Sequence, residues 1–563
     1  MNFTGIGELN QTFASLPVAG LDTNPFQLAL DHLKIRLKVE PSNIDRIPQS
    51  GPTILVANHP FGGADGLALG ALALSRRSDV KVLVNSWLGE VDDLAAWLIQ
   101  IDVFDARGKA GANAVQLKAA LRHLRQGGLL IVFPAGTVSQ FNPRSGKVED
   151  IKWGTGAASL ARRSRATVVP CFFRGQNRPV FHLAGLVHPV LRTALLPREL
   201  VARQNSLLTL AIGKPVSSEA ISRFGDDETL TAWFRIRTHD LDANAVEAAT
   251  PRNRQVSIAA PVDVRLIVEE LRCLPDDALL LSQGPYRVYL ARRRSIPHTL
   301  EEIGRLREIS FRAVGEGTGA ATDLDEFDLT YSHLVLWDDT AQKVVGAYRL
   351  AFCDERLNAG GLQALYTHTL FKYRWGLKSE LAQAVELGRS FIRPEYQRKP
   401  LALAMLWRGI GEVLCRNPHY RRLIGPVSIS DQYRGSSLRL LISFLESIRP
   451  EAGLRGQVSP RKPVSVRLSD CERQILQARV GSVKELSSLL GELDEDGKRV
   501  PVLVERYLEL GARVLAVSRD SEFGGCVDAL IMVDLDRAPE QLLKRFMGAE
   551  GYEWYRRQWS QAS

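Results

Sequence analysis

Residues 56–69 have the sequence VANHPFGGADGLAL, and this stretch decides the fold of the first half of the chain. An apolar strand ends in Asn58-His59, a Pro-Phe-Gly-Gly turn follows, and Asp65 precedes an apolar helix. Histidine suits general-base catalysis near neutral pH, and a carboxylate across a turn can orient its imidazole. We therefore predict a His59–Asp65 catalytic pair. The structural alternative is that His59 packs at a strand end while Asp65 caps the helix.

The segments around this stretch alternate between strands and helices. Such alternation predicts an α/β layer structure, with strands at 53–59, 80–85, 127–133 and 166–173. A polar stretch at 238–262 is the predicted linker, and a helix at about 263–272 leads to a second unit. There we predict strands at 286–291, 333–338, 344–351 and 385–392 and a helix at 402–414. The expected domains are 1–237 and 276–563, joined by 238–275.

Composition narrows the class of protein. The chain has 563 residues, of which 45% are hydrophobic and 24% charged, as in globular proteins with two or more domains. Six cysteines lie far apart without a CxxC pair, so we expect no disulfide scaffold and no metal site. The N-terminus lacks the pattern of a signal peptide, and no apolar run is long enough to span a bilayer. We expect a cytoplasmic protein, either soluble or peripheral.

Charge is concentrated in one region. The net charge is +9, and residues 101–200 hold 15 Lys and Arg against 5 Asp and Glu. This excess favours an anionic partner, such as nucleic acid, an anionic membrane surface or an acidic carrier protein. A solvated basic face without a partner is the simpler alternative. No recognisable RNA- or DNA-binding motif is present, so we expect no nucleic-acid partner.

Three further segments follow the first one: IDVFDARG (101–108), FPAGTVSQ (133–140) and ATVVPCFFRG (166–175). In this order the four blocks resemble those of the lysophospholipid acyltransferase superfamily. The resemblance implies that His59 deprotonates an acceptor hydroxyl that attacks an acyl thioester, with Asp65 orienting the imidazole. It also implies that Arg107, Gly136 and Thr137 contact the acceptor head group.

The sequence departs from the superfamily pattern in two ways, in the spacing of the His59–Asp65 pair and at Ala135. Five residues separate His59 from Asp65 instead of four, and a glycine turn at 62–63 is able to absorb the extra residue. Ala135 stands where the superfamily has glutamate. The sequence is similar to a divergent, hemolysin-like branch, for which an acceptor other than glycerol 3-phosphate is expected.

The second half carries another ordered set: FRAVGEG (311–317), DLDEFDLTYSHLVLW (323–337), KVVGAYRL (343–350) and ELGRSFIRPEYQRKP (386–400). This set resembles the N-acyltransferases of the GNAT superfamily that make the first intermediate of ornithine lipids. The matching residues are Arg312, Asp325, Asp328, Arg349, Glu386 and Arg389.

N-acylation requires a deprotonated amine beside a thioester carbonyl. Glu386 is the candidate base, and Asp325 or Asp328 is expected to bind the substrate ammonium group. Arg312, Arg349 or Arg389 is expected to hold the α-carboxylate, because guanidinium binds carboxylate through two hydrogen bonds. The alternative for each pair is structural ion pairing.

The predicted donor loop has the sequence QRKPLA (397–402). It lacks the central glycine of the loop that cradles pyrophosphate in the GNAT superfamily. We therefore expect the acyl donor to be acyl carrier protein rather than coenzyme A, with Arg398 and Lys399 meeting the phosphate of its arm. No tightly bound cofactor is expected.

Together the two halves resemble the bifunctional ornithine-lipid synthases, with an α/β acyltransferase-like domain followed by a GNAT-like α+β domain. The resemblance implies N-acylation of an amino acid with a 3-hydroxyacyl group by the second half. The first half would then O-acylate the hydroxyl of that lyso-lipid, at the cytoplasmic face of a bacterial inner membrane. Two alternatives stay open: a lysophospholipid acyltransferase fused to an N-acyltransferase for another amine, and a non-catalytic hemolysin-like membrane-binding protein.

Overall fold

The computed structural model describes residues 24–85, 92–101, 110–143, 145–247, 255–433, 435–494, 496–521 and 523–560. These residues form two compact units. The first contains the described residues of Met1–Ala249, Leu468–Val480 and Glu495–Gly497, and the second contains those of Thr250–Arg467, Gly481–Asp494 and Lys498–Ser563.

The first unit is built on a mainly parallel sheet with the strand order β1-β9-β8-β2-β5-β3-β4. The central strand is buried along its whole length, as expected for a parallel strand covered on both faces. The strands are β1 (Arg36–Lys38), β2 (Thr53–Ala57), β3 (Val80–Asn85), β4 (Leu98–Ile101), β5 (Leu129–Val132), the hairpin β6 (Gln140–Asn142) and β7 (Lys147–Glu149), β8 (Thr167–Arg174) and β9 (Leu207–Ile212). The helices are α1 (Pro25–His32), α2 (Pro41–Ile44), α3 (Gly63–Leu74), α4 (Ala110–Arg125), α5 (Gly156–Ser164), α6 (Pro179–Val187), α7 (Pro189–Ala194), α8 (Leu196–Val201), α9 (Ser218–Ser222) and α10 (Asp227–Glu247).

The second unit is built on a mainly antiparallel sheet with the order β10-β11-β12-β13-β15-β16-β19-β18. The strands are β10 (Leu279–Gln283), β11 (Tyr286–Arg292), β12 (Ser332–Asp338), β13 (Lys343–Phe352), β14 (Phe371–Tyr373), β15 (Ala384–Ile392), β16 (Arg422–Ile429), β17 (Val458–Pro460), β18 (Arg513–Arg519) and β19 (Val527–Asp534). The remaining helices of the chain are α11 (Val264–Arg272), α12 (Pro297–Arg312), α13 (Cys353–Gly360), α14 (Lys378–Ala382), α15 (Pro400–Arg416), α16 (Gly435–Ser447), α17 (Asp470–Arg479), α18 (Val483–Leu493), α19 (Val502–Glu509), α20 (Glu540–Met547) and α21 (Ala549–Ser560). Of these, α17 packs against α10 and is part of the first unit.

Two strands of the second sheet pair only at their start. The parallel strands β15 and β16 are in register from Ala384–Arg422 to Glu386–Ile424, and no further pairs follow. At Gly425 the chains still lie so close that a Cβ there would come within 2.1 Å of the Leu387 carbonyl oxygen. Beyond this point the strands separate, and a cavity of about 570 Å³ opens between them.

The structure confirms the predicted α/β and α+β classes. Hydrophobic periodicity also predicted the ends of the main strands to within one or two residues. The predicted linker differs from what is observed. Helix α10 continues to Glu247, so residues 238–247 of that stretch are helical. The first proline after Asp227 is Pro251, and polarity alone does not end a helix.

Candidate active sites

The imidazole of His59 and the carboxylate of Asp65 lie together at the end of β2. His59 Nδ1 is 3.0 Å from Asp65 Oδ2, and Asp65 is fully buried. Burial raises the pKa of Asp65, although its contacts with His59 oppose this. The His59 ring packs on Phe133 with 4.3 Å between ring centroids. With Nδ1 facing the carboxylate, Nε2 is the nitrogen placed to accept a proton.

Asp65 is held by the turn that precedes it. Its Oδ2 accepts hydrogen bonds from the backbone N–H groups of Phe61 (2.9 Å) and Gly62 (3.0 Å), so the carboxylate caps α3 as well as facing His59. Gly62 has φ +77°, a conformation that favours glycine. A Cβ at Gly62 would also meet Leu196 at 3.1 Å and Val138 at 3.2 Å. The two interpretations of Asp65, helix cap and partner of histidine, therefore describe the same carboxylate.

The loop after β5 borders His59 on two sides. Phe133 packs on its ring, and the Ser139 N–H donates to the His59 carbonyl oxygen at 2.8 Å. Asp150, also buried, accepts from the His59 N–H at 3.3 Å and from the Trp153 Nε1–H at 2.9 Å. The first and third sequence blocks are therefore brought together around one histidine.

The fourth block is joined to the first through Asn58. Its side-chain amide donates to the Phe173 carbonyl oxygen at 2.9 Å and accepts from the Phe173 N–H at 2.7 Å. In the sheet, Val56 of β2 pairs with Pro170 of β8. These contacts fix the strand end from which His59 projects.

Two of the three predicted acceptor-binding residues, Gly136 and Thr137, lie in the turn after β5. Gly136 has φ +65° in the turn after β5, and the Thr137 hydroxyl accepts from Arg192 Nη2 at 3.2 Å. Ala135, which replaces the glutamate of the superfamily, is buried beside them. Arg107 lies outside the described residues. Roles in acceptor binding stay predictions for all three.

In the second unit, Arg389 faces the cavity from a strained position on β15. It has φ +48°, and the register between β13 and β15 shifts at this point, so Arg389 lies in a β-bulge. Its guanidinium is close to two carboxylates, with Nε 3.5 Å from Asp323 Oδ2 and Nη2 3.7 Å from Asp325 Oδ2. Bulges and positive φ values at non-glycine residues cluster at functional sites, where they direct a side chain.

The other matched arginines are engaged in buried ion pairs. Arg349 Nη1 lies 2.5 Å from Asp325 Oδ1 and 3.2 Å from Asp328 Oδ2. Asp328 also binds Arg307 at 2.8 Å; burial opposes its ionisation, but the two guanidinium groups hold its pKa below the ordinary value. None of Arg349, Asp325 and Asp328 is among the described residues that line the cavity. These residues therefore form the structural ion pairs that the sequence analysis gave as the alternative to substrate binding.

Arg312 also forms contacts within the protein, with Glu308 and with a backbone carbonyl group. Its Nε lies 2.6 Å from Glu308 Oε1, and its Nη1 donates to the Val256 carbonyl oxygen at 2.8 Å. Of the three arginines predicted to hold a substrate carboxylate, Arg389 is thus the one that lines the cavity.

Glu386 does not occupy the position predicted for a base. It is buried; one carboxylate oxygen accepts from the Tyr331 hydroxyl and the other from the Thr367 N–H at 2.7 Å. It is absent from the described residues lining the cavity, to which β15 contributes from the next residue, Leu387, onward. Because both oxygens are engaged within the protein, the structure does not support Glu386 as the proton acceptor. It lies in the last residue pair between β15 and β16, just before the two strands separate.

Two carboxyl groups that the sequence analysis missed do line the cavity, Asp528 on β19 and Glu316 after α12. Burial raises the pKa of Asp528 to about 7 and that of Glu316 to about 8. The Ser428 hydroxyl donates to Asp528 Oδ1 at 2.7 Å, while Arg389 lowers both pKa values. Carboxyl groups that titrate near neutral pH are suited to accept a proton from an amine. A signal was present, because Asp528 interrupts the otherwise apolar stretch 527–533 of its strand.

The predicted donor residues lie at the start of α15. Arg398 and Lys399 are exposed, and the Lys399 ammonium lies 4.3 Å from the centroid of the Tyr396 ring. Gln397 just before them and Leu403 just after them line the cavity. Helix α15 begins at Pro400, two residues before the predicted start. The loop is therefore next to the cavity, and its two cationic side chains are exposed.

Within the residues that the structure describes, no group of three or more His, Cys, Asp and Glu side chains is arranged to hold a metal ion. No helix in the described ranges is long and apolar enough to cross a membrane.

Comparison with known proteins identifies two domains. The acyltransferase family model matches residues 38–174, and the acetyltransferase (GNAT) domain model matches residues 306–408. Glycine N(alpha)-acyltransferase from Bacteroides thetaiotaomicron is 30% identical over 300 residues, covering 50% of this chain and 87% of that protein. Lyso-glycine lipid O-acyltransferase from Phocaeicola vulgatus is 29% identical over 204 residues, covering 35% and 69%. L-ornithine N(alpha)-acyltransferase from Brucella abortus is 25% identical over 290 residues, covering 49% and 93%.

Proposed function

The chain belongs to the family of amino-acid N(alpha)-acyltransferases, and from that premise we propose that it is a bifunctional enzyme that makes amino-acid lipids. The second unit acylates the α-amine of an amino acid with a 3-hydroxyacyl group. The first unit then acylates the hydroxyl of that product. The observation that supports the proposal is the presence in one chain of an acyltransferase domain and a GNAT domain, whose relatives include a lyso-glycine lipid O-acyltransferase and a glycine N(alpha)-acyltransferase.

For O-acylation, His59 Nε2 takes the proton of the acceptor hydroxyl as its oxygen attacks the thioester carbonyl. The C–O bond forms, the C–S bond breaks, and the thiolate leaves with the proton that the imidazolium returns. Asp65 stabilises the imidazolium and keeps the ring oriented. Gly136 and Thr137, in the loop beside His59, are proposed to contact the acceptor.

For N-acylation, we assign the proton acceptor to Asp528, with Glu316 beside it. The amino acid arrives as an ammonium ion and loses one proton to this acceptor before its nitrogen attacks the thioester carbon. The C–N bond forms, the C–S bond breaks, and the leaving thiolate takes the second proton that the nitrogen gives up. Arg389, directed into the cavity by the bulge, holds the α-carboxylate, since a guanidinium group binds carboxylate in a fixed geometry. The apolar wall, which includes Leu403, Leu406 and Tyr507, is suited to the acyl chain.

The proposed donor is an acyl group carried on acyl carrier protein. Arg398 and Lys399 are exposed beside the cavity and would meet the phosphate of the carrier's arm or its acidic surface. Neither domain requires a tightly bound cofactor for this chemistry.

The test is lipid mass spectrometry on a bacterial host that makes no amino-acid lipids, with and without the gene. The proposal predicts a new lipid carrying one amino acid and two acyl chains. Altered phospholipid acyl chains without any amino-acid lipid would favour a lysophospholipid acyltransferase instead. Which amino acid is used is given by the head-group mass in the same experiment.

A further inference from the structure

Helix α6 of the first unit presents apolar side chains to solvent. Val180, Leu183 and Val187 are 66%, 60% and 78% exposed, and Leu186 is 52% exposed. The first three recur at intervals of three and four residues and therefore lie on one side of the helix. Helix α7 packs against α6 and adds Leu191, which is 46% exposed. A group of exposed large apolar side chains of this kind marks an interaction surface rather than a scattered exception.

The surroundings of this apolar face are cationic. Residues 174–203 contain five arginines and a single carboxylate, Glu199. That carboxylate is buried and lies 2.8 Å from Arg178, so it offsets one of the five arginine charges and the segment stays cationic. Arg178 and Arg198 are exposed. Apolar side chains edged by arginine match a bilayer that contains anionic lipid, where the chains enter the acyl region and the cations meet the head groups.

Helix α7, which forms part of this apolar face, is also hydrogen-bonded to the loop that borders His59. Arg192, on α7 beside Leu191, donates to the Thr137 hydroxyl and to the Gln140 side chain. Thr137 belongs to the loop that borders His59. A bilayer in contact with α6 and α7 would therefore lie close to the loop that borders His59.

We infer that α6 and α7 insert their apolar side chains into a membrane surface and deliver the lyso-lipid acceptor to His59. The identity of the acceptor rests on the proposed function, whereas the insertion itself does not. A second copy of the chain is a poorer occupant, because self-association through this face would bring the same arginines together.

The test compares three purified full-length proteins: the wild type, Leu183→Ser/Leu186→Ser, and the control Val115→Ser. Val115 is 64% exposed on α4, so the control also removes an exposed apolar side chain from a helix of the first unit. Binding to vesicles of phosphatidylcholine with one quarter phosphatidylglycerol is measured by co-sedimentation at 0.1 M and 0.5 M NaCl. Circular dichroism melting establishes that all three proteins are folded.

We expect the wild type and the control to retain binding at 0.5 M NaCl, because insertion of apolar groups is insensitive to salt. The double variant should bind at least about tenfold more weakly at both salt concentrations, since each leucine removed loses its burial in the bilayer. Equal binding by the double variant and the wild type would overturn the inference. So would a wild-type dimer that the double variant converts to a monomer while neither binds vesicles.

Binding is measured without catalysis, which keeps this inference separate from the proposed function. Vesicle binding that the double substitution abolishes supports the inference even if no O-acylation is detected. That combination would count against the proposed function instead.

Discussion

In the first unit the candidate base and its orienting carboxylate, His59 and Asp65, lie on a single strand-to-helix turn. In the second unit the polar groups around the cavity come from segments as distant as Glu316 and Asp528, and they meet because β15 and β16 separate. The first site therefore depends on one short segment, in which two backbone N–H groups hold the Asp65 carboxylate. The second site depends on residues from several strands of the sheet.

This difference affects how each site should respond to substitution. The His59 imidazole pairs with the Asp65 carboxylate, which has its own backbone contacts and should keep them when the imidazole is removed. In the second unit, Asp325 is within 4 Å of both Arg349 and Arg389, so a change at one charge alters the environment of the others. Effects there should be non-additive.

The largest expected effect is at His59. His59→Ala should lower O-acylation by about 10²–10⁴-fold, because it removes general-base catalysis. N-acylation should continue, so a mono-acylated amino-acid lipid with a free hydroxyl should accumulate in the host, as measured by lipid mass spectrometry. The exposed His32 provides the matched control, His32→Ala. Loss of both lipids in His59→Ala would contradict separate sites.

The second prediction separates two carboxylates of the second unit. Asp528→Asn should lower kcat for N-acylation by about 10²-fold or more, because the amide cannot accept a proton. In the wild type, the raised pKa of about 7 keeps Asp528 protonated and inactive at acid pH. The rate should therefore rise with pH through about 7, and this rise should disappear in the variant.

Glu386→Gln is the comparison variant for that prediction. Its amide keeps an oxygen for the Thr367 N–H, so we expect a reduction smaller than tenfold and an unchanged pH profile. A loss in Glu386→Gln larger than that in Asp528→Asn would restore Glu386 as the base.

The third prediction concerns the bulge residue. Arg389→Lys keeps the charge but loses the two-pronged geometry, so KM for the amino acid should rise by about tenfold or more while kcat changes less. Arg408→Lys, on the exposed side of α15, is the control. Steady-state kinetics at several amino-acid concentrations measure both constants. An unchanged KM would remove Arg389 from substrate binding.

The smallest effect is expected at the donor loop. Arg398→Ala/Lys399→Ala should raise KM for acyl carrier protein by several-fold, since exposed charges act mainly on encounter with an acidic partner. The effect should shrink as salt is added, because the charges are exposed. Equal use of acyl-coenzyme A by the wild type, with no effect of the double substitution, would contradict the carrier-protein donor.

The same contrast between the two sites explains which of their residues could be predicted from the sequence. The His59–Asp65 pair was predictable because one turn contains both residues and the glycine that allows their contact. The sequence also identified Arg389, but it did not distinguish Arg389 from Arg349, because both belong to charged motifs and only packing decides which lines the cavity. Asp528 was missed because its neighbours in space, Ser428 and Arg389, are remote in sequence.

The central claim is that one chain performs two successive acylations at two separate sites. Purified Asp528→Asn protein supplied with synthetic mono-acylated amino-acid lipid and an acyl donor tests it directly. We expect formation of the di-acylated lipid at the wild-type rate, because His59 and Asp65 are intact, and no formation by His59→Ala protein under the same conditions. Failure of Asp528→Asn protein to acylate the supplied lipid, or normal acylation by His59→Ala protein, would contradict it.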